Sequence, residues 1–385
     1  MFDVALVGGG LAGCLSASLL ARRGYEVVLI DPNDDVPADF RCEKMEPGHL
    51  DRLARLGLAG PLLATATQLD HLWVARFGRL LDVMPFRQCS FRYEGLVTAY
   101  RAALPPSVAR RAARVVDIAA DDRGQSLRLS DGSSLDARLT VLATGLSQPL
   151  RTALGARRRV SHRGHSITIG FDMASREPGG FLFPALQNNP ERHSVGVGYL
   201  SLFRLGSVMR ANLFVYHDMR DPLIAAFRAQ PAETLARVFP HLRNLTGDVE
   251  IVSPVRVRST DLEDECRPRV PGVVAIGDAF RPACPATGLG TMKVMTDVER
   301  LCEVHAPRWL AEGAIPAARV DRFYADPAKA ACDRLAWRRG LRMRALATQT
   351  RADWAAQRWL RFGKRAGRGW LRRALEPQAA RDGLA

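Results

Sequence analysis

Phe2-Asp3-Val4-Ala5-Leu6-Val7-Gly8-Gly9-Gly10-Leu11-Ala12-Gly13 opens the chain, an apolar run of strand character feeding straight into a glycine cluster. From Ser16 to Arg23 the apolar side chains recur at helical spacing until Gly24, and a second apolar run, Glu26 to Ile30, ends in Asp31. This spacing predicts strand, tight turn, helix and strand, one parallel unit of an α/β sheet. Gly8 permits the turn, Gly10 lets a diphosphate approach the backbone, and Gly13 lets the helix pack closely on the strands. The N–H groups of Leu11, Ala12 and Gly13 at the helix start suit phosphate oxygens, and Asp31 is placed to accept from ribose hydroxyls. The turn therefore reads as a dinucleotide site, and it does not by itself separate a flavin from a nicotinamide dinucleotide.

Composition sets the limits of that reading. A chain of 385 residues with 47% apolar residues has ample material for a packed core, in one large domain or two joined ones. Met1 to Val7 enters a strand with no basic stretch or apolar leader ahead of it, so no secretory signal is expected. The apolar runs are too short to span a bilayer. The 7 cysteines form no C-x-x-C pair, which signals neither a disulfide framework nor a metal site and fits a reducing cytoplasm. The net charge of +15 gathers in a tail where Arg334, Arg338, Arg344, Arg351, Arg358, Arg361, Lys364, Arg365, Arg368 and Arg372 interleave with Trp337, Trp354, Trp359 and Trp370. That tail could pack its tryptophans inward and leave the arginines in water, or meet an acidic carrier protein or an anionic membrane surface; nucleic acid is not the expected partner.

The second half of the chain returns to the nucleotide. Val273 to Ile276 reads as a strand that delivers Gly277-Asp278-Ala279-Phe280-Arg281-Pro282-Ala283-Cys284-Pro285-Ala286-Thr287-Gly288-Leu289-Gly290, then a helix through Asp297 to Leu301. This segment resembles the G-D-x6-P-x2-G-x-G-x6-D-x3-L signature of the para-hydroxybenzoate hydroxylase-like FAD monooxygenases, relatives of the flavin-dependent halogenases and geranylgeranyl-reductase-like flavoproteins. The resemblance implies that Asp278 meets the ribityl chain, that Pro285 lies by the isoalloxazine, and that Gly288, Leu289, Gly290 and Thr291 present backbone to its pyrimidine end. Helix-start N–H groups suit the negative charge of a reduced flavin. It further implies that Arg41, in Arg41-Cys42-Glu43-Lys44-Met45-Glu46, contacts FAD; Lys44 is either a second contact or a solvated lysine. Where the family reads A-D-G-x-x-S-x-x-R, this chain has Ala143-Thr144-Gly145-Leu146-Ser147-Gln148-Pro149-Leu150-Arg151. Gly145 keeps its place by the cofactor, while Thr144 in place of the aspartate opens two routes of reduction, directly by NAD(P)H or through a separate flavin reductase.

The implied fold is α/β (α+β): a Rossmann-like FAD-binding domain in three parts, 1–67, 93–157 and 256–305, with an inserted antiparallel substrate sheet at 68–92 and 158–255 and a helical region at 306–385. The alternating strands of that sheet read as a cap over the flavin. Phe181 and Phe183 in the Gly180 to Ala185 stretch are candidate pocket lining, or ordinary core, and His165 is a third candidate. His162, His165, Tyr199 and His217 are titratable, but no catalytic base is assigned. The resemblance implies oxygenation of a small organic substrate, aromatic or carrier-bound, by O2 through a flavin C4a-hydroperoxide. A halogenase, reductase or dehydrogenase on the same scaffold is the alternative, although no W-x-W-x-I-P box occurs.

Overall fold

A computed structural model describes residues 1–40, 43–121, 124–156, 159–193 and 195–375. They divide into two units: Met1–Ala66, Phe91–Arg163 and Asp261–Arg339 form the first, and Thr67–Ser90, Gly164–Thr260 and Gly340–Ala385 the second.

The first unit is built on parallel strands. Phe2–Val7 lies between Val27–Ile30 and Ser134–Leu142, all in the same direction, with Ala109–Arg111 beyond the first and Val273–Ala275 beside the last. Gln125–Leu129 and Val115–Ala120 extend the sheet antiparallel. Val4, Ala5, Leu6, Val27 and Val28 are completely buried, as near-continuous apolar strands covered on both faces must be. Because neighbouring strands run parallel, Val7, Ile30 and Leu142 end at one edge. Gly8 leaves that edge at a φ of +108°, and a Cβ there would press on the Ala143 carbonyl. A Cβ on Gly13 would overlap the Gly8 carbonyl oxygen, so only glycine lets the helix Leu11–Arg22 start this close to the strand.

Asp326 fixes the start of the helix Pro327–Thr348. Its Oδ1 accepts from the N–H groups of Ala328 (3.0 Å) and Lys329 (3.2 Å), and its Oδ2 from Arg300 Nη2 (2.8 Å) and His305 Nε2 (3.1 Å). Burial pushes this carboxyl up, and the hydrogen bonds from Arg300, His305 and Lys329 outweigh it, holding it at about 2.

The second unit carries a mixed sheet in the order Val249–Ile251, Val160–Ser175, Val208–Val215, Val197–Leu205, Ala185–Asn188, Thr67–Arg76, Arg79–Ser90. The sequence predicts antiparallel pairing throughout, and the structure differs at Ala185–Asn188, which runs parallel to Thr67–Arg76 with Leu186 opposite Trp73. A parallel neighbour needs a long crossover rather than a hairpin, and the chain between Ser90 and Gly164 supplies it. On one face Trp73, Ile169, Phe171, Leu200 and Leu213 pack against Ile224 and Phe227 of the helix Pro222–Ala229 and Leu235 of Pro231–Val238. The opposite face carries Arg76, Gln187, Ser201, Arg210 and Asn212, the alternation expected of strands with two different environments. Among the described residues no helix is long and apolar enough to cross a membrane, and no group of side chains could hold a metal ion.

Phe227 is fully buried. Phe227→Ala should therefore lower the unfolding free energy by about 3–5 kcal/mol, read by urea titration. Asp326 has a folded pKa of about 2 against an ordinary 3.8, so its contribution is complete above pH 3.8 and is lost as pH falls through about 2. Stability measured across that window should fall less steeply in Asp326→Asn than in the parent, and the variant should already be weaker at neutral pH.

Candidate dinucleotide site

Two loops in the first unit bear the candidate residues. The first is the Gly8 to Gly13 turn. Gly9 N–H donates to Asp31 Oδ2 at 2.6 Å, so the carboxylate expected to face ribose also braces the turn. Arg101, on the helix Tyr93–Ala102, lies beneath it. Its Nε donates to the Gly9 carbonyl (2.9 Å), Nη1 donates to the carbonyls of Asn33 (2.7 Å) and Asp34 (3.0 Å), and Nη2 is 3.3 Å from Asp31 Oδ1. This guanidinium is nearly buried, and it ties the turn at Gly9 to Asp31 and the Asn33 to Asp34 segment. No side chain caps the helix Leu11–Arg22, but Tyr93 Oη stands 3.4 Å from Leu11 N.

The second loop begins where Val273–Ala275 ends. Gly277 N–H donates to Asp297 Oδ2 at 2.8 Å, joining the start of the loop to the helix Gly290–Arg300 that follows it. Behind this bond lies a sealed charge cluster. Lys329 Nζ donates to Asp297 Oδ1 (2.7 Å) and to Asp333 Oδ2 (3.1 Å), while Lys293 pairs with Asp333. Lys293, Lys329, Asp297 and Asp333 are all at most 5% exposed. Two cations and two anions compensate one another, which a buried group of this kind requires. Burial pushes the Lys329 ammonium down to about 8, with Asp297 opposing the shift. Lys329 also sits 3.9 Å from the Phe280 ring centre, a cation–π contact inside the loop. Beyond Pro285–Thr287 the chain turns through Gly288 at a φ of 66°, and Leu289 N–H is met by Thr287 Oγ1 at 3.2 Å. The helix Gly290–Arg300 starts with no side-chain cap.

Several features of these loops fit a bound dinucleotide. The first turns of both helices hold N–H groups that no helix can satisfy internally. A Cβ on Gly145 or on Gly290 would meet open space. Thr144 Oγ1, beside Gly8, is buried with no hydrogen-bond partner among the described residues. An anionic diphosphate with polar sugar and ring edges supplies what such groups lack.

The remaining sequence candidates divide. Lys44 lies on the short strand Lys44–Met45, and burial pushes its ammonium down from the ordinary value, with Glu46 opposing. Glu46 and His49 cap the helix Pro47–Arg55 reciprocally, and Arg52 of that helix is tied to Thr296 and to Glu299 (3.1 Å) on Gly290–Arg300. Arg41 lies outside the described residues. Asp278 and Pro285 are half-buried on their loop. Arg281 donates to the Glu263 carbonyl and lies 4.2 Å from the Trp337 ring centre.

In the second unit, Phe183 is sealed in the core against Trp73 (5.4 Å between ring centres), and Phe181 lies tilted against Phe183 at 5.8 Å. His165 is fully buried edge-on to Tyr216, and His217 pairs with Asp221 at 2.8 Å. Sequence reading missed Tyr93, Arg101 and the Lys293, Lys329 and Asp333 cluster. Lys329 and Asp333 left a local signal, four residues apart on one helix, and so did Lys293, four residues before Asp297 on Gly290–Arg300.

A parallel sheet with a glycine turn after Phe2–Val7 and, beside Ala12, the loop that opens at Gly277 is the build of a dinucleotide-binding flavoprotein. Residues 1–306 match the family described as the FAD binding domain, and the chain belongs to that family. A 3-amino-4-hydroxybenzoate 2-monooxygenase of Streptomyces platensis is 33% identical over 200 residues, 47% of this chain and 48% of that protein. The tetracycline 7-halogenase of Kitasatospora aureofaciens is 28% identical over 43% of this chain and 36% of its own length. These matches span about half, or less, of the curated relatives' length. Among solved structures, p-nitrophenol 4-monooxygenase PnpA of Pseudomonas putida superposes with a TM-score of 0.75 at 18% identity, covering 96% of this chain and 94% of that one. PqsL of Pseudomonas aeruginosa superposes at 0.70 with 19% identity, covering 95% and 98%.

Lys329→Met leaves two buried carboxylates facing one ammonium. It should destabilise the protein by about 3–5 kcal/mol and reduce the FAD that copurifies, measured by thermal melting and by flavin absorbance per protein. Parental melting and flavin content would show that the cluster does not support the loop.

Proposed function

We propose that the chain is an FAD-dependent monooxygenase that hydroxylates or otherwise oxygenates a small organic molecule, with electrons from NAD(P)H or from a partner flavin reductase. The observation that carries this reading is the pair of uncapped helix starts, Leu11–Arg22 and Gly290–Arg300, in a chain that matches the FAD-binding family over residues 1–306. The Streptomyces platensis relatives, aminohydroxybenzoate monooxygenases at 33% and 32% identity, favour an aromatic substrate.

Bound FAD supplies the two-electron chemistry that activates O2 and transfers one oxygen atom. The chain's own residues bind and orient. In this reading the N–H groups of Leu11, Ala12 and Gly13 hold the diphosphate, Asp31 the adenosine ribose and Asp278 the ribityl hydroxyls. Lys44 and Arg41 add positive charge beside them. The first N–H groups of Gly290–Arg300 face the pyrimidine edge and stabilise negative charge on the reduced ring. Thr144, with no carboxylate, neither repels nor anchors a nicotinamide dinucleotide, which favours the partner-reductase route. Halogenation is the second reading, supported by the tetracycline 7-halogenase match and disfavoured by the missing W-x-W-x-I-P box.

Stopped-flow absorbance tests both parts. Mixing the yellow protein with NADH or NADPH should bleach the flavin slowly. After chemical reduction, O2 should reoxidise it, and an aminohydroxybenzoate should be converted to a product one oxygen atom heavier. Absence of any oxygenated product from an aromatic panel, with reoxidation intact, would overturn the oxygenase assignment, and fast bleaching by a nicotinamide would overturn the partner-reductase route.

A further inference from the structure

We propose that the second unit binds a small organic acid, an anionic headgroup on an apolar body, in a cationic cavity of about 330 Å³ bounded by sheet residues of Thr67–Arg76 and Ala185–Asn188 and by the helix Ala352–Leu375. The site is argued from this unit alone and goes beyond the flavin chemistry proposed above.

The cavity's lining is cationic. Arg76, Arg358, Arg361, Lys364, Arg365 and Arg368 line it, and no acidic residue does so among the described residues. Arg76 and Arg358 are 4% and 9% exposed. Their guanidiniums are aimed by backbone carbonyls: Arg76 Nε on Pro190 O at 3.0 Å and Nη2 on Glu191 O at 3.2 Å, Arg358 Nη1 on Gln349 O at 2.7 Å and on Leu346 O at 3.3 Å. Carbonyls orient a guanidinium without neutralising it. Arg358 Nε is buried with no hydrogen-bond partner among the described residues, a donor held ready in a desolvated place.

The neighbouring carboxylates are already shared. Glu191 bonds His241 at 2.9 Å, and Asp82 lies between Arg365 (3.6 Å) and Arg372 (3.3 Å). His193 reports the resulting field, pushed down to about 4 by burial and by Arg76 and Arg358. Burial, with Arg342 and Arg365, also pushes the Arg361 guanidinium down. An anion entering here meets two buried guanidiniums, Arg76 and Arg358, with the more exposed Arg361, Lys364 and Arg368 around them, and relieves their mutual repulsion.

The same cavity has apolar walls in Val74, Leu346 and Phe362. Charge alone would suit inorganic phosphate, but the apolar walls need a hydrocarbon to cover them. The volume lies at the small end of ligand sites, about 300–1,000 Å³. A single-ring carboxylate suits that size, and a dinucleotide does not. Arg358 of the tail thus serves an interior site, and Arg344 is likewise turned inward, donating to the carbonyls of Gly164 and His165.

Trp359 supplies the readout, its ring centre 5.7 Å from that of His193 and 5.6 Å from the Arg76 guanidinium. Benzoate titrated into the flavin-loaded full chain should change tryptophan fluorescence saturably, and Trp359→Phe should remove most of that signal. Benzamide, the uncharged shape mimic, should bind at least about ten-fold more weakly, and Arg361→Gln should weaken benzoate by a similar factor. Arg358→Met should do the same. Because Arg358 also braces backbone, Arg361→Gln carries the test if that variant misfolds. Flavin absorbance should be unchanged in Arg361→Gln, which separates failure of this site from failure of the flavin reading. Equal binding of benzoate and benzamide, or no binding of either, would overturn the proposal. So would displacement of benzoate by lower concentrations of inorganic phosphate, which would assign the cations to a phosphoryl group.

Discussion

The first unit depends on one close approach, the start of the helix Leu11–Arg22 against the carbonyl of Gly8. With no Cβ at Gly13 the helix axis closes onto the strand, its first N–H groups point out past the strand ends, and the parallel sheet gathers Val7, Ile30 and Leu142 at that edge. Any side chain there would lift the helix and separate the groups that a diphosphate has to bridge. Arg101 completes the arrangement from below by holding Gly9, Asp31 and the Asn33 to Asp34 segment at once.

The two units treat buried charge in opposite ways. In the first, Lys293 and Lys329 are matched by Asp297 and Asp333, so the cluster is neutral and its task is to position Gly277. In the second, the guanidiniums of Arg76 and Arg358 are oriented by carbonyls and left with their charge. Compensated charge gives fixed geometry, whereas uncompensated charge gives affinity for an anion. That contrast separates a structural ion cluster from a binding site more clearly than the number of charged residues does.

The charged tail shows how this difference escapes a linear reading. The tail's basic side chains look alike in sequence, yet Arg344 caps carbonyls inside the second unit, Arg358 is buried, and Arg372 is tied to Asp82 and the Val83 carbonyl. A peripheral membrane or carrier-docking face would need these groups directed to solvent. Trp359 and Trp370 are indeed exposed, at 54% and 68%, but several of the arginines beside them are spent on internal contacts.

The sequence by itself determined the nucleotide-binding half. Glycines at 8, 10 and 13, the second glycine run at 288 and 290, and the apolar strands around them encode local backbone geometry, which a chain writes residue by residue. It also marked the alternating strands of the second sheet, because strand alternation marks a half-buried sheet wherever it occurs. Only the tertiary structure decided which side chains meet across long separations: Arg101 under Gly9, Lys329 on Asp297, the parallel pairing of Leu186 with Trp73, and the cavity that draws on Arg76 and Arg361 together. The physical reason is that charge compensation and register are properties of pairs brought together by folding, and no local propensity records them.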